Sequence, residues 1–246
     1  MDGLLDTFDL IRLDELEQLD FSSRYDFKFL LRENQLPHLL RCLSTDYLLL
    51  KIGQKYFFHY ETLYFDTSDY LCYYRHHNGW AVRHKLRFRS YADSGTVVFE
   101  IKSKDNKGRG IKKRFSVQQE SLFVPYHLQE TINSTTGLHA KSLLPSLRIG
   151  LDRITLVHRH RPEKITFDLN LRMQLQTQAI SFNRLVIAEV KQKKRSTHSD
   201  FFRLCRQTGI YPASISKYCL GIALLHPHVK YNRFKPLIRR LKKITL

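Results

Sequence analysis

Cysteine, acidic residues and long apolar runs are all scarce in this chain of 246 residues. The four cysteines are Cys42, Cys72, Cys205 and Cys219, and no two of them have the spacing of a CxxC pair or of a zinc-ligand set. Such isolated thiols are typical of buried or idle cysteines in a reducing compartment. The sequence therefore predicts neither a disulfide scaffold nor a structural zinc site.

The sequence also lacks the apolar segments that a membrane or secretory protein needs. No stretch of about 18 to 20 uninterrupted apolar residues occurs, so we expect no membrane-spanning helix. A secretory signal has a basic start followed by an apolar run, whereas the first 23 residues contain seven acids and a single base, Arg12. These features predict a cytoplasmic protein.

The charge that is present is strongly positive and unevenly distributed. The chain has 41 Lys and Arg against 23 Asp and Glu, a net charge of +18, and 42% of its residues are hydrophobic, which is enough for one sizeable core. From His226 onward there are seven bases and no acid. We predict an acidic leader over 1–21, one central domain over 22–225 and a basic tail over 226–246. The tail is either a solvated segment or a contact for an anionic membrane surface or a protein.

The hydrophobic pattern predicts an α+β protein with a mainly antiparallel sheet. Period-two alternation begins at Tyr25 and strands dominate to about Val190, with short Gly- and Asn-containing connections that favour antiparallel pairing. Helical patterns flank or interrupt this region. The predicted helices cover 7–19 and 33–43, then one from Thr197 or Ser199 to Gly209 and one from Ser214 or Ser216 to Leu225.

One predicted strand carries four cations on a single face. In the segment from Val82 to Tyr91, side chains alternate across the strand, so every second residue shares a face. The cations of that face are Arg83, Lys85, Arg87 and Arg89. Neighbours on one face lie about 6.5 to 7 Å apart, and two unit charges at that distance repel by about 2.4 kcal/mol at an effective dielectric of 20. Such a row is expected to face an anion.

The same alternation recurs along other strands, with carboxylates among the cations. The additional charged positions are Glu100, Lys102, Lys112, Arg114, Arg153, Lys164, Glu189 and Lys191. A flat sheet that faces water produces this alternation too. If instead an antiparallel sheet of about eight strands closes into a barrel with these faces inward, the interior is a cationic tube. Cations there would hold a chain of phosphates, and a carboxylate would bind a divalent metal or a lysine.

Seven short motifs resemble those of the VTC domain, in the same order along the chain. They are Arg24-Tyr25-Asp26-Phe27-Lys28-Phe29-Leu30-Leu31, Leu63-Tyr64-Phe65-Asp66-Thr67-Ser68-Asp69, Lys85-Leu86-Arg87-Phe88-Arg89-Ser90-Tyr91, Glu100-Ile101-Lys102, Ile165-Thr166-Phe167-Asp168, Ala188-Glu189-Val190-Lys191 and Ser216-Lys217-Tyr218. The resemblance covers about residues 22 to 225. It places the chain among the triphosphate tunnel metalloenzymes, which include polyphosphate polymerase subunits.

The resemblance implies a fold, a reaction and a set of site residues. The implied fold is an eight-stranded antiparallel β-barrel, the triphosphate tunnel, with flanking helices. The implied reaction transfers the γ-phosphate of ATP to a growing polyphosphate chain and releases ADP, with Mn²⁺ or Mg²⁺ held by Glu189. The implied catalytic residues are Lys28, Arg87, Arg89, Lys102, Arg153, Lys191 and Lys217. Further substrate contacts, which rest more on alternation, are Arg83, Lys85, Lys112, Arg114, Lys164 and Glu100. Asp168 fits either a second metal ligand or the partner of a lysine.

One departure from the wider superfamily separates the possible reactions. Tunnel enzymes usually begin with Glu-x-Glu-x-Lys, whereas this chain has Arg24, Asp26 and Lys28. Arg24 in place of an acid speaks against a second metal ion and its activated water, and so favours a polymerase over a triphosphatase that hydrolyses inorganic or nucleoside triphosphate. A non-catalytic module that binds polyphosphate or nucleic acid is the other alternative. Nucleic acid is not expected, because Phe88 and Phe99 fall opposite the cations, where they could not stack on bases.

Overall fold

The computed structural model describes residues 2–19, 25–107 and 109–245, and its strands form one sheet. The sheet contains eleven described strands. They are β1 (Leu10–Ile11), β2 (Tyr25–Arg32), β3 (Tyr47–Leu50), β4 (Phe58–Asp66), β5 (Arg83–Tyr91), β6 (Thr96–Lys104), β7 (Gly110–Val117), β8 (Leu144–His158), β9 (Glu163–Leu175), β10 (Gln178–Phe182) and β11 (Leu185–Gln192).

Eight of these strands form a continuous antiparallel path, in the order β2-β11-β9-β8-β4-β5-β6-β7. The short strand β1 pairs in parallel with β3, β3 pairs with β8, and β10 extends the hairpin with β9. The α+β class with a large antiparallel sheet is thus confirmed. The predicted closed barrel of eight strands is wrong in closure and in strand count: within the described residues, no backbone pairing joins β2 to β7.

Eight α-helices cover parts of this sheet in the described chain. They are α1 (Asp2–Leu5), α2 (Leu13–Gln18), α3 (Leu36–Leu43), α4 (Leu71–His77), α5 (Gln129–Thr136), α6 (Asp200–Gln207), α7 (Lys217–Leu225) and α8 (Lys235–Thr245). The last three predicted helices correspond to α3, α6 and α7. Ser216 caps α7, since its side chain accepts a hydrogen bond from the Cys219 amide.

Two predictions of helical structure need correction. The leader is not one helix over 7–19, because Leu10 and Ile11 instead lie beside Leu49 and Leu50 as β1, between α1 and α2. The region before Val190 also contains α4 and α5, which the sequence analysis did not predict. The α5 segment is polar and short, so it gives almost no helical hydrophobic period.

The two faces of the sheet are covered differently. On the outer face, one apolar cluster joins Phe29, Phe167 and Val190 to α3 and α6, and another surrounds Phe88 and Phe99 near α5. The inner face, opposite these clusters, is charged in its middle part. Helix α7 covers one end of the inner face, over Leu147, Ile149, Met173 and other apolar side chains.

The other end of the inner face is covered by the leader. Ile11 of β1 and Leu16 of α2 pack on Phe58 and Val157, which lie on the inner face because Phe58 pairs with Arg153 across β4 and β8. The polar middle of the inner face is therefore bounded by apolar contacts at both ends.

The basic C-terminal segment is not wholly solvated, because α8 packs on the protein. Leu241 is buried, and Leu237, Ile238 and Ile244 pack against the same apolar cluster as α7. Lys242 and Lys243 remain exposed on the opposite side. No helix in the described parts of the chain is long and apolar enough to cross a membrane.

Candidate phosphate-binding site

Strand register places the predicted charged residues of the sheet on one face. Across β5, β6 and β7, Lys85 is opposite Lys102 and Lys102 is opposite Lys112, while Arg87, Glu100 and Arg114 form the next row. Across β2, β11, β9 and β8, the paired positions of the same face are Lys28 with Glu189, Lys191 with Lys164, and Asp168 with Arg153. Every predicted site residue on a strand belongs to this face, and Lys217 reaches it from α7.

The sheet curls so that its two halves face each other. The negative charge of Glu189 on β11 is close enough to raise the pKa of Lys102 on β6, although four strands lie between β11 and β6 along the path. The positive charge of Lys28 on β2 likewise lowers the pKa of Lys85 on β5. The charged face therefore encloses an interior, even though hydrogen bonds do not close the sheet.

A buried ion pair supports the cations of β5. Arg87 donates to Glu100 through Nε (2.7 Å) and Nη2, and through Nη1 to the hydroxyl of Tyr64 (2.9 Å). Burial alone would raise the pKa of Glu100, but Arg87, Arg89 and Lys102 hold that pKa below its ordinary value. Glu100 thus stays ionised and fixes Arg87, which makes it a positioning group for a cation.

A second buried carboxylate links β8, β9 and α7. Asp168 accepts hydrogen bonds from Arg153 (Nε to Oδ1, 2.6 Å, and Nη2 to Oδ2, 2.9 Å) and from the Lys217 ammonium. Burial would raise the pKa of Asp168, but Arg153 and Lys217 lower it. Of the two interpretations left open by the sequence, the structure favours the lysine partner over the metal ligand.

The start of α7 is tied to the opposite strands. Lys28 Nζ donates to the Ile215 carbonyl at 2.9 Å, and Lys85 Nζ donates to the Ser216 hydroxyl at 3.0 Å. Because Ser216 is also the helix cap, the same short turn orders α7 and holds two ammonium groups. Its positive helix end adds to the attraction for an anion.

Glu189 is an inner-face carboxylate that forms no ion pair with an arginine among the described residues. It contacts Lys191 at 2.9 Å, and its side chain is 16% exposed. Burial would raise its pKa, but Lys191, Lys28 and Lys217 hold it well below the ordinary value. An ionised carboxylate at this position fits a divalent cation whose remaining ligands are phosphate oxygens and water, the manner in which Mg²⁺ is usually held. Across the described residues, no group of three His, Cys, Asp or Glu side chains forms a metal site by itself.

Positive charge exceeds negative charge in the interior, and the excess depresses cation pKa values. Arg87, burial and Arg89 together lower the pKa of Lys102 to about 6. Burial and Arg87 lower the pKa of Arg89. In the part of the chain that the structure describes, Arg89 Nε is buried without a hydrogen-bond partner, as is Thr166 Oγ1 beside Glu189. Buried donors without partners are rare in folded proteins. These groups therefore mark a place where a polyanion would satisfy both charge and hydrogen bonds.

The remaining predicted residues lie nearer the margins of the interior. Lys112 is 3.8 Å from Glu100 and its side chain is 43% exposed, while Arg114 donates to the Tyr91 hydroxyl at 3.1 Å on the exposed strand β7. Arg83 begins β5 and donates to the Trp80 carbonyl. Lys164 lies opposite Lys191 on β9.

Sequence reasoning missed several uncharged groups of the site. Tyr60 lies under two guanidinium groups, with Arg153 at 4.9 Å and Arg89 at 5.8 Å from the ring centroid. Tyr64 and Ser216 accept hydrogen bonds from cations of β5. The tyrosines lie on the same face of the sheet as the cations. Their places in the period-two pattern of β4 could have identified them as site residues. Arg24, on which the argument against a second metal rested, lies outside the described residues.

Comparison with known proteins gives a family match and a fold match. A model of the VTC domain family matches residues 23–226, and no curated protein matches the chain. A candidate adenylate cyclase from Bacillus halodurans has a similar structure, with a TM-score of 0.54, 14% identity, and coverage of 79% of this chain and 96% of that one. A candidate adenylyl cyclase from Hippeastrum, described with a dominant triphosphatase activity, gives a TM-score of 0.50, 15% identity, and coverage of 82% and 97%.

Identities this low show a shared fold and nothing of substrate or reaction. The family match is stronger, because it covers most of the chain and includes all the inner-face cations described above. The chain therefore belongs to the VTC domain family, which has the triphosphate tunnel metalloenzyme-like fold.

Proposed function

We propose that this protein is a polyphosphate polymerase that transfers the γ-phosphate of ATP to the end of a polyphosphate chain and releases ADP. The observation that carries the proposal is the enclosed face on which cations from β2, β5, β6, β8, β11 and α7 converge. The cations that would bind the reacting phosphates are Lys28, Lys85, Arg87, Arg89, Lys102, Arg153, Lys191 and Lys217. Such a surface matches several consecutive phosphates better than a single anion.

The reaction requires the protein to align the reactants and to stabilise charge, and little else. A terminal oxygen of the acceptor chain attacks the γ-phosphorus of ATP, the bond from that phosphorus to the bridging β-γ oxygen breaks, and ADP leaves with the electron pair. Because the attacking oxygen is already ionised, no general base is needed, and alignment with charge stabilisation supplies the catalysis. Mn²⁺ or Mg²⁺ bound at Glu189 would neutralise part of the phosphate charge.

A triphosphatase is the second candidate, and it is the activity described for the Hippeastrum structure. Hydrolysis needs a water to be activated, which in carboxylate sites requires acids that are not neutralised by arginine. Here Glu100 is held by Arg87 and Asp168 by Arg153, and Glu189, which forms no arginine ion pair among the described residues, is the acid proposed to hold the metal. This arrangement favours an acceptor that is already an anion over water.

The proposal is tested with the full chain, ATP and manganese. We expect ADP to appear together with an acid-labile polymer that an exopolyphosphatase digests and an inorganic pyrophosphatase does not. Free phosphate without polymer would establish the triphosphatase. Tight polyphosphate binding without any turnover would establish the binding module.

Glu189→Gln tests the assignment of the metal ligand. The substitution removes the charge that would hold a divalent cation and leaves the cations in place, so we expect turnover to fall by at least about a hundredfold, while polyphosphate binding remains. Titration calorimetry with polyphosphate and the ADP assay measure the two properties separately. Glu130→Gln, on the exposed side of α5, is the matched control. Full turnover in Glu189→Gln would remove this residue from the mechanism.

A further inference from the structure

One histidine beside the cations has no role in the site described so far. His76 belongs to α4, which packs against β4, β5 and α7. Its Nδ1 atom is buried and has no hydrogen-bond partner among the described residues, and the ring of Phe234 lies 6.3 Å from its own ring. The ring is therefore held in place while one polar atom remains unsatisfied.

The charges around His76 identify the side of α4 on which it lies. Lys85 and Arg83 of β5, Lys28 of β2 and Arg233 before α8 all act on the imidazole, and each of them is positive. Lys217 at the start of α7 is already bound to Asp168. Burial and these cations together lower the pKa of His76 to about 3. The ring is consequently neutral, and its helix packs against β5 and α7, which carry Lys85 and Lys217 of the phosphate-binding interior.

We propose that His76 is a further phosphate-binding residue: its Nδ1–H group donates a hydrogen bond to an oxygen of the bound phosphate chain beside Lys28, Lys85 and Arg83, and the ring takes up a proton from solvent when that chain binds. The inference rests on the proposed function, because that function supplies the polyanion. A polyanion among these cations cancels the field that keeps the ring neutral, and a phosphate oxygen gives the orphaned nitrogen its partner.

His84 is a matched control inside the same protein. It is also buried, and burial and Arg75 lower its pKa, but it lies on the outer face of β5. Its Nδ1 is 2.8 Å from the Ser103 hydroxyl, so its polar atom is already satisfied. A ligand that binds on the inner face should leave His84 unchanged.

The test follows the histidine ring signals of the native full chain by NMR, with His76→Gln and His84→Gln used to assign the two resonances. Inorganic tripolyphosphate is the probe, since it needs no turnover. Without it, we expect the His76 ring to stay neutral between about pH 5 and 8. With saturating tripolyphosphate, the midpoint of His76 should rise by at least two pH units and that of His84 should stay within about half a unit. A direct ring signal is needed because Lys102 also gains protons when an anion binds.

A second measurement compares affinities. Proton uptake by one group strengthens binding by up to about tenfold per pH unit as pH falls. We expect the pH dependence of tripolyphosphate affinity, measured by calorimetry, to be shallower in His76→Gln and unchanged in His84→Gln. Tripolyphosphate binding with no movement of His76 would overturn this inference and leave the proposed function standing. An absence of tripolyphosphate binding at millimolar concentration would overturn both.

Discussion

At the scale of single residues, the site is a balance of three buried acids against a larger number of cations. Glu100 and Asp168 neutralise the arginines nearest to them and fix their side chains. Lys102 forms no ion pair or hydrogen bond in the described part of the chain and lies between Lys85 and Lys112 in register. In the free protein, repulsion within this row is relieved by loss of the Lys102 proton, whereas a bound anion would relieve it with the proton retained.

Lys102→Met should increase the stability of the ligand-free protein and decrease its affinity for a phosphate chain. Because the pKa of Lys102 is lowered to about 6 in the fold, the folded chain binds fewer protons than the unfolded chain between about pH 6 and 10. Stability should rise with pH across that window in the native protein, and less so in the variant. At pH 7 we expect the free energy of unfolding to increase by about 2 kcal/mol and tripolyphosphate affinity to fall about tenfold.

Urea unfolding and calorimetry measure the two effects. Lys113→Met is the control, because Lys113 lies on the outer side of β7 and donates to the Thr135 hydroxyl. If both variants behaved alike, the depressed pKa of Lys102 would have no energetic consequence.

Sequence reasoning identified the charged residues of the site and could not identify their partners. Period-two alternation placed Arg87 and Glu100 on one face because a strand allows only two faces. Which cation meets which acid depends on register and curl, so the pairing of Asp168 with Arg153 and Lys217 required coordinates. His76 gave no such pattern, since a histidine in a seven-residue helix resembles any surface or core residue.

At the scale of elements, α7 is the part of the fold that connects packing to the site. Its first turn binds Lys28 and Lys85, and its body presses on the inner face at Gly221. A Cβ at Gly221 would lie 2.5 Å from Leu147 Cδ2 and 3.2 Å from Met173 Sδ. The helix can approach the sheet this closely only because residue 221 has no side chain.

Gly221→Ala should therefore destabilise the protein, although alanine is intrinsically better than glycine in a helix by about 1 kcal/mol. Overpacking usually costs about 1 to 3 kcal/mol, so we expect a net loss of about 1 kcal/mol and a weaker hold on Lys28 and Lys85. Thermal unfolding and tripolyphosphate affinity are the measurements. Gly110→Ala is the control, since nothing lies within 4 Å of the added Cβ. If Gly221→Ala had the same thermal stability and tripolyphosphate affinity as Gly110→Ala, the close approach of α7 to the sheet would not be needed for either property.

Elements with a clear hydrophobic period were predictable, and those that depend on tertiary contact were not. Of the alternative starts Thr197 or Ser199 and Ser214 or Ser216, which precede apolar periodic segments, the structure selects Ser199 for α6 and Ser216 for α7. The prediction of a single leader helix was wrong because Leu10 and Ile11 fit a helical period as well as a strand. Their pairing with the edge of β3 makes them a strand, and this contact is tertiary. The prediction of a closed barrel was wrong because closure requires β2 to pair with β7. Local sequence patterns do not show whether two edge strands that are distant in sequence pair with each other.

At the scale of the whole molecule, the net charge of +18 opposes folding in the absence of an anion. We expect the melting temperature of the free protein to rise when KCl is increased from about 50 to about 500 mM, because the Debye length falls below the distance between neighbouring cations. Tripolyphosphate should add a further increase that shrinks as salt rises, since ligand binding stabilises by mass action. Differential scanning calorimetry at several salt concentrations measures both. A melting temperature that falls with KCl would contradict a fold limited by repulsion.

The edge strand β7, which pairs with β6 on one side, shows what this charge does between molecules. An exposed sheet edge invites the edge of another copy, and charged side chains are the usual protection. On β7 that protection comes from Lys112, Lys113 and Arg114, two of which share the face of the phosphate-binding interior. A long polyanion lying over this edge would remove the repulsion that keeps copies apart. Under the proposed polymerase function, the product would then set the concentration at which the protein self-associates, and solubility would depend on the amount of polymer made.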